Sequence, residues 1–258
     1  MADTTLLPHV TAGPEDGVPI VLVHGFGGDR LAWAAVQPRL AERHRTIAFD
    51  LPGHGLAVDW PEVGNAAVSA KAVARSLDTL GVASAHLVGH SMGGAVALLV
   101  AQHDAERVAS LTLIAPGCIG RELNGRLLRR FAAMTEAHDI ALIFENFLGF
   151  AKPMPDGLVP LIAAVRADPA LIRSFVAIAE SLIDGDGQKT LPVEDLAAAP
   201  YPVKVIWGDQ DHVIPCTQTA LLPPNVARHI LPGVGHLPHL EEEALTVKLI
   251  LETVAAAR

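Results

Sequence analysis

Leu87-Val88-Gly89-His90-Ser91-Met92-Gly93-Gly94 joins a short apolar run, Ala85 to Val88, to an alanine-rich stretch, Ala95 to Ala101. A G-x-S-x-G pentapeptide between a strand and a helix puts its serine on a tight turn with a strained backbone. Only glycine at positions 89 and 93 leaves room for the neighbouring chain. Such a turn lifts the Ser91 hydroxyl into the open and sets the Met92 N–H at the start of a helix. There, amides without intrahelical acceptors and the positive end of the helix dipole can hold a developing oxyanion. The pentapeptide alone is a common accident, and a glycine-rich turn with an idle serine is the competing explanation, so the flanking strand and helix carry the weight.

Working outward, short apolar runs alternate with helical stretches. Ile20 to Val23, Thr46 to Phe49, Ala85 to Val88 and Val108 to Ile114 read as strands; Leu31 to Arg43, Val68 to Leu80 and Met92 to Gln102 read as helices. That order predicts an α/β fold, a mostly parallel, doubly wound sheet with right-handed crossovers. From Ile119 to Leu196 the pattern is helical only, with candidate helices at Leu123 to Thr135, Ile140 to Phe147, Leu158 to Val165 and Ala170 to Ile183. Alternation then resumes with strands at Val203 to Trp207 and Ala227 to Leu231, a short helix near Thr217 to Leu222 and a terminal helix from Leu240 to Ala256. The expected organisation is a core of residues 1–117 and 198–258, interrupted by a helical cap, 118–197, over the active edge of the sheet.

The 258 residues suffice for one large domain, and 50% hydrophobic with 18% charged residues is an ordinary globular composition. A formal net charge of −9 repels phosphate backbones and anionic membranes, which argues against nucleic acid as a partner. Arg121, Arg126, Arg129 and Arg130 are spaced as a solvated helix face. Cys118 and Cys216 are too few and too far apart for a metal pattern and are expected as reduced thiols. Met1 to Thr5 carries no basic targeting pattern, and no apolar run reaches the ~18 residues of a membrane span, so a cytoplasmic protein without a membrane partner is expected. No motif implies an organic cofactor or a metal, and none speaks to oligomeric state; the expected partner is a small-molecule substrate.

A serine hydroxyl is a weak nucleophile at neutral pH. It needs a histidine base, which in turn needs an acid to hold its tautomer. Gly208-Asp209-Gln210-Asp211-His212 follows the Val203 to Trp207 strand, and Gly233-Val234-Gly235-His236 follows the Ala227 to Leu231 strand. In a parallel sheet these loops share the C-terminal edge, where open α/β sheets place ligand sites. Asp209 and Asp211 compete as the acid; Asp211, farther along the loop, is favoured. His236 competes with His212 and His239 and is favoured by its flanking glycine and short approach from a strand. A zinc site at His236 and His239 lacks further ligands. His24-Gly25-Phe26-Gly27-Gly28, after the first strong strand, brings backbone close to the nucleophile, and the Phe26 amide becomes a second oxyanion donor beside that of Met92. A phosphate-binding loop is disfavoured there by the absence of a P-loop lysine.

With Asp50-Leu51-Pro52-Gly53-His54-Gly55 added, these runs stand in the order nucleophile, acid, base, and the chain resembles the α/β-hydrolase family over nearly its whole length. The resemblance implies an α/β-hydrolase fold with Ser91, Asp211 and His236 as a catalytic triad, Phe26 and Met92 as oxyanion-hole donors, and a cap that shapes the substrate pocket. One departure is visible: Leu56 and Ala57 follow Gly55 where many relatives carry serine. A serine at the nucleophile position also separates the chain from the haloalkane-dehalogenase branch, which uses aspartate.

Hydrolysis of carboxylic esters, with lactones and thioesters as variants, is the expected reaction. Met134, Phe144, Phe147, Phe150, Met154 and Phe175 suggest an apolar acyl or aryl pocket, although most read equally as the cap's own core. Two further reactions stay open. One is carbon–carbon hydrolysis of a ring-fission product, against which His90 and the apolar cap weigh. The other is acyl transfer, because the HGFGG and DLPGHG runs resemble the catalytic domain of acetoin-dehydrogenase acyltransferase components; a core without a lipoyl-bearing domain before it is the expectation, and it weighs against transfer. A ligand-binding receptor of the same fold is the non-enzymatic alternative.

Overall fold

The computed structural model describes residues 6–257; Met1 to Thr5, read above as free of a targeting pattern, lie outside the described residues. Its strands are β1 (His9–Ala12), β2 (Ile20–Val23), β3 (Thr46–Phe49), β4 (Ala85–His90), β5 (Val108–Ile114), β6 (Ile183–Asp184), β7 (Gly187–Gln188), β8 (Val203–Gly208) and β9 (Ala227–Leu231). Seven of them form one sheet in the order β1-β3-β2-β4-β5-β8-β9. All neighbours in it run parallel except the edge pair β1 and β3. The helices are α1 (Gln37–Ala41), α2 (Ala66–Thr79), α3 (Met92–His103), α4 (Gly125–Ala133), α5 (Ala137–Phe144), α6 (Leu158–Val165), α7 (Pro169–Leu182), α8 (Pro238–Glu241) and α9 (Glu243–Ala256).

A parallel sheet must be covered on both faces, and its strands therefore read as continuous apolar runs. Ile20-Val21-Leu22-Val23 is buried at every position. Because successive side chains point to opposite faces, Val21 and Val23 join the larger apolar cluster with Ile47, Phe49 and Leu87, while Ile20 and Leu22 join a second with Ala48 and Val88. Residues of α2 and α3 contribute to the first cluster; Trp33, Leu40 of α1 and Val247, Ile250 and Val254 of α9 contribute to the second.

The strand order reverses between β2 and β4: β3 lies to one side of β2, and the chain returns past it to place β4 on the other. Loops leaving the C-terminal ends of two such strands border a crevice. Here those loops begin at His24 and Ser91. Residues 118–197, between β5 and β8, pack onto the same edge. Phe131 and Phe175 touch Phe26, the Ser174 hydroxyl donates to the Gly53 carbonyl at 2.9 Å, and the His236 N–H donates to the Phe147 carbonyl at 2.7 Å.

Several elements differ from the sequence expectation. Leu31 to Arg43 is no single helix: a 3-10 turn at Arg30–Trp33, capped by the Asp29 carboxylate, precedes α1, which starts afresh with Pro38 in its first turn. The terminal helix is divided at Glu242, whose φ of −135° is not helical. The stretch near Thr217 is a 3-10 helix, Cys216–Leu221. The expected all-helical segment contains the two-stranded hairpin β6-β7, turning at Gly185 with φ +65°. β1 escapes the pattern because it is a short edge strand with no fully buried side chain. No helix among the described residues is long and apolar enough to cross a membrane.

Close backbone approach, and no property of a side chain, dictates Gly93: a Cβ there would overlap the carbonyl oxygens of Val23 and His24. Gly93→Ala is therefore expected to destabilise the protein by about 2 kcal/mol or more, as overpacking at rigid backbone does. Urea unfolding of variant and wild type measures it.

Candidate active site

Ser91 has φ 52° and ψ −118°, a conformation that an L residue adopts at a cost on the order of 1–3 kcal/mol. Neighbouring backbone holds it there. Its N–H donates to the Ile114 carbonyl at 2.9 Å, and its carbonyl accepts from the N–H groups of Gly94 and Gly117, both at 2.9 Å. Gly89 also belongs to this packing, since a Cβ on it would collide with the Gly93 carbonyl.

Ser91 Oγ lies 2.9 Å from His236 Nε2, and His236 Nδ1 lies 2.7 Å from Asp211 Oδ2. With Nδ1–H donating to the carboxylate, the Nε2 lone pair faces the serine hydroxyl. Asp211 is buried, and each of its oxygens is committed. Oδ1 accepts from the backbone N–H of Val213 at 2.8 Å and of Ile214 at 2.9 Å, and Oδ2 also accepts from Trp207 Nε1 at 3.0 Å. Asp209, the rival acid, is exposed and accepts from the Gly233 N–H at 2.7 Å within its own turn. Of the rival bases, His212 is exposed against the Phe150 ring, and His239 is buried between Trp33 and His90. The structure thus brings Ser91, His236 and Asp211 together and leaves Asp209, His212 and His239 outside their hydrogen-bonded chain.

Phe26 and Met92 both line a small cavity at Ser91, with a volume of about 30 Å³, enough for about two water molecules. Leu123, Leu128, Leu182 and Ile214 share the remaining wall with smaller residues and the Gln188 amide, and no charged side chain among the described residues reaches it. The aromatic and methionine side chains taken from the sequence as pocket candidates lie elsewhere. Met134, Phe144, Phe147 and Phe175 are buried in the core, Met154 packs partly buried against it, and Phe150 is 80% exposed. The lining leucines carry no signal that separates them from core leucines along the chain.

Residues that position this chain are legible only in part. His24 Nε2 accepts from the Leu51 N–H at 3.0 Å, and His54 Nε2 accepts from the Gly27 N–H at 3.1 Å, so the two histidines tie the HGFGG and DLPGHG loops to each other. His90 Nε2 donates to the His236 carbonyl at 2.9 Å. Glu241 escaped the sequence reading. Its carboxylate accepts the N–H groups on either side of His236, Gly235 at 2.9 Å and Leu237 at 3.1 Å, and that of Gly149 at 2.7 Å. The only trace in the sequence is an acid five residues beyond the histidine.

Burial holds these histidines neutral. Desolvation pushes His54 and His239 down to about 3 and His90 well below its ordinary value, with neighbouring histidines adding to the effect. Their folded values lie below that of an unfolded histidine, near 6.5, so on acidification the unfolded chain takes up protons first. Stability is therefore expected to be complete above about pH 6.5 and to fall as the pH drops toward 3, with a slope of up to about 1.4 kcal/mol per pH unit for each such histidine. Chemical denaturation across that range measures it, and a flat profile between pH 6.5 and 5 contradicts it.

Comparison with known proteins agrees with this architecture. Over 242 residues the chain is 37% identical to the dihydrolipoyllysine-residue acetyltransferase component of the acetoin cleaving system of Pseudomonas putida, covering 92% of this chain and 63% of that protein. The corresponding component of Cupriavidus necator is 29% identical, covering 86% and 60%. The chain thus spans about three fifths of the length of these curated relatives. In fold it is similar to a meta-cleavage product hydrolase from Pseudomonas fluorescens, with a TM-score of 0.85 at 21% identity, covering 97% of this chain and 94% of that one. The model of the alpha/beta hydrolase family matches residues 20–249, from the first residue of β2 into α9, and so takes in the whole parallel sheet. The chain belongs to the alpha/beta hydrolase family.

Proposed function

We propose that the protein is a serine hydrolase that cleaves carboxylic esters of small to medium apolar acyl or aryl substrates, with lactones and thioesters as variants. The observation that carries this reading is the continuous hydrogen-bonded chain from Ser91 Oγ through His236 to Asp211, at 2.9 and 2.7 Å, beginning on a strained turn at the foot of an apolar cavity. Residues 118–197 act as a cap over a core of 1–117 and 198–258, and they shape the cavity through Leu123, Leu128 and Leu182.

Ser91 Oγ attacks the ester carbonyl while its proton passes to His236 Nε2. Charge gathers on the carbonyl oxygen, which the Phe26 and Met92 amides receive; Met92 opens α3, where first-turn N–H groups lack intrahelical acceptors. Asp211 stabilises the imidazolium and holds its ring. Its other oxygen is anchored by two backbone amides, so it needs no rearrangement as charge develops. His236 returns the proton to the departing alkoxide, leaving an acyl group on Ser91. A water deprotonated by His236 then attacks that acyl group, the carboxylic acid leaves, and Ser91 regains its proton.

A second reading, acyl transfer to a thiol acceptor, draws on the 37% identity with the acetyltransferase component. It uses the same acyl-enzyme and differs only in what attacks it. A thioester donor incubated with and without dihydrolipoamide separates the two, since transfer makes product formation depend on the acceptor.

On a panel of p-nitrophenyl esters of increasing chain length, Ser91→Ala is expected to lower turnover by about four orders of magnitude or more. Asp211→Asn is expected to lower it by about 10³- to 10⁴-fold through loss of the correct His236 tautomer, and Asp209→Asn to stay within a few-fold. Serine-independent turnover of every ester accepted refutes the nucleophile; the reverse ranking of the two aspartates moves the acid to Asp209.

A further inference from the structure

Arg166 follows the last residue of α6 and is 2% exposed. Its Nη1 donates to the Phe131 carbonyl at 2.8 Å and reaches the Met134 carbonyl at 3.3 Å, so it closes the carbonyl end of α4. Its guanidinium carbon lies 4.6 Å from the Phe131 ring centre and 5.0 Å from that of Phe175. These contacts leave Nη2 unused: it is buried and has no hydrogen-bond partner. Among the described residues no carboxylate pairs with this cation, and burial alone lowers its pKa, to about 10, which leaves it charged at neutral pH.

A buried charge without a counter-ion costs several kcal/mol, of which a helix C-terminus and two ring faces offset a part. Nη2 is a charged donor suited to a carboxylate oxygen. It abuts the loop after β2, 3.4 Å from the position a Cβ on Gly27 would take. Phe26, the preceding residue, contacts both rings that hold the cation, with centroids at 5.8 and 5.7 Å, and also lines the cavity at Ser91. Phe26 therefore reaches from the wall of the Ser91 cavity to the two aromatic rings that pack on this unpaired cation.

We infer that Arg166 Nη2 receives a carboxylate carried by the substrate, reached from the Ser91 cavity by a swing of the Phe26 ring. The substrates are then half-esters of dicarboxylic acids or compounds of like charge, held at one end by Arg166 and attacked at the other by Ser91. This rests on the ester-hydrolase reading and replaces its wholly apolar acyl group with one that ends in a carboxylate.

The test compares monomethyl with dimethyl esters of succinate, glutarate, adipate and pimelate, with proton release followed in a pH-stat. A charged hydrogen bond in a buried site is expected to raise kcat/KM for the monomethyl ester of the best length about ten- to hundredfold over its dimethyl counterpart. Arg166→Met is expected to collapse that ratio toward one, and Arg166→Lys to retain part of it. Wild type that takes dimethyl esters equally well or better at every length overturns the subsite while the esterase reading stands, and that outcome needs no folded variant. A preference that survives in Arg166→Met also overturns it. If neither series is hydrolysed, the ester reading fails separately and binding decides the subsite. A rise in wild-type Tm with free glutarate or adipate, but not with their dimethyl esters, supports the carboxylate contact, and no rise overturns it.

Discussion

Ser91 sits at positive φ because β4 ends where α3 must begin, with no residues to spare between them, and much of the surrounding backbone is arranged to tolerate that. Gly89 and Gly93 lack side chains so that the turn can close on itself and on the end of β2. The Ile114 carbonyl and the Gly117 amide, from the end of β5 and just beyond, hold the strained residue from the neighbouring strand. The same close approach sets His24 and Phe26 beside the serine. A displacement of the turn would therefore reach the sheet, the loop after β2 and the cavity together.

A second set of contacts links loops that are far apart along the chain. His54 binds the amide of Gly27, His90 binds the carbonyl of His236, and Glu241 gathers the amides of Gly149, Gly235 and Leu237. Each is a side chain that saturates backbone groups which, once buried, would otherwise be unsatisfied. Through Gly149 and Phe147 the segment between β5 and β8 is tied to the loop that carries His236, so its position and that of the imidazole are coupled mechanically.

The cavity is apolar where it meets Ser91, and charge is kept one layer back. Asp211 lies behind His236, and Arg166 lies against the Phe131 and Phe175 rings that Phe26 touches, the first with all its hydrogen bonds made and the second with Nη2 idle. That asymmetry distinguishes a group completed by the protein from one left for a ligand.

The fold class could be read from the chain because apolar runs of four to seven residues, separated by helical stretches, admit few arrangements other than a covered parallel sheet. Ser91 could be read because its turn imposes glycines at fixed spacing, and His236 and Asp211 because loops after parallel strands share an edge. Sequence favoured Asp211 over Asp209 through its place in the loop and the family resemblance, without showing where either carboxylate turns. Three-dimensional packing turns one carboxylate toward His236 and the other toward the Gly233 amide. The hairpin at 183–188, the break at Glu242 and the roles of Glu241 and Arg166 had no local pattern to announce them, since each depends on backbone brought in from a distant part of the chain. Sequence by itself determined the strand order's raw material and the strained serine turn, which are matters of local sterics and hydrophobic period. Only the tertiary structure decided which leucines face Ser91, which backbone groups hold the Asp211 carboxylate and where an unpaired cation lies, because those depend on contacts between segments that no spacing records.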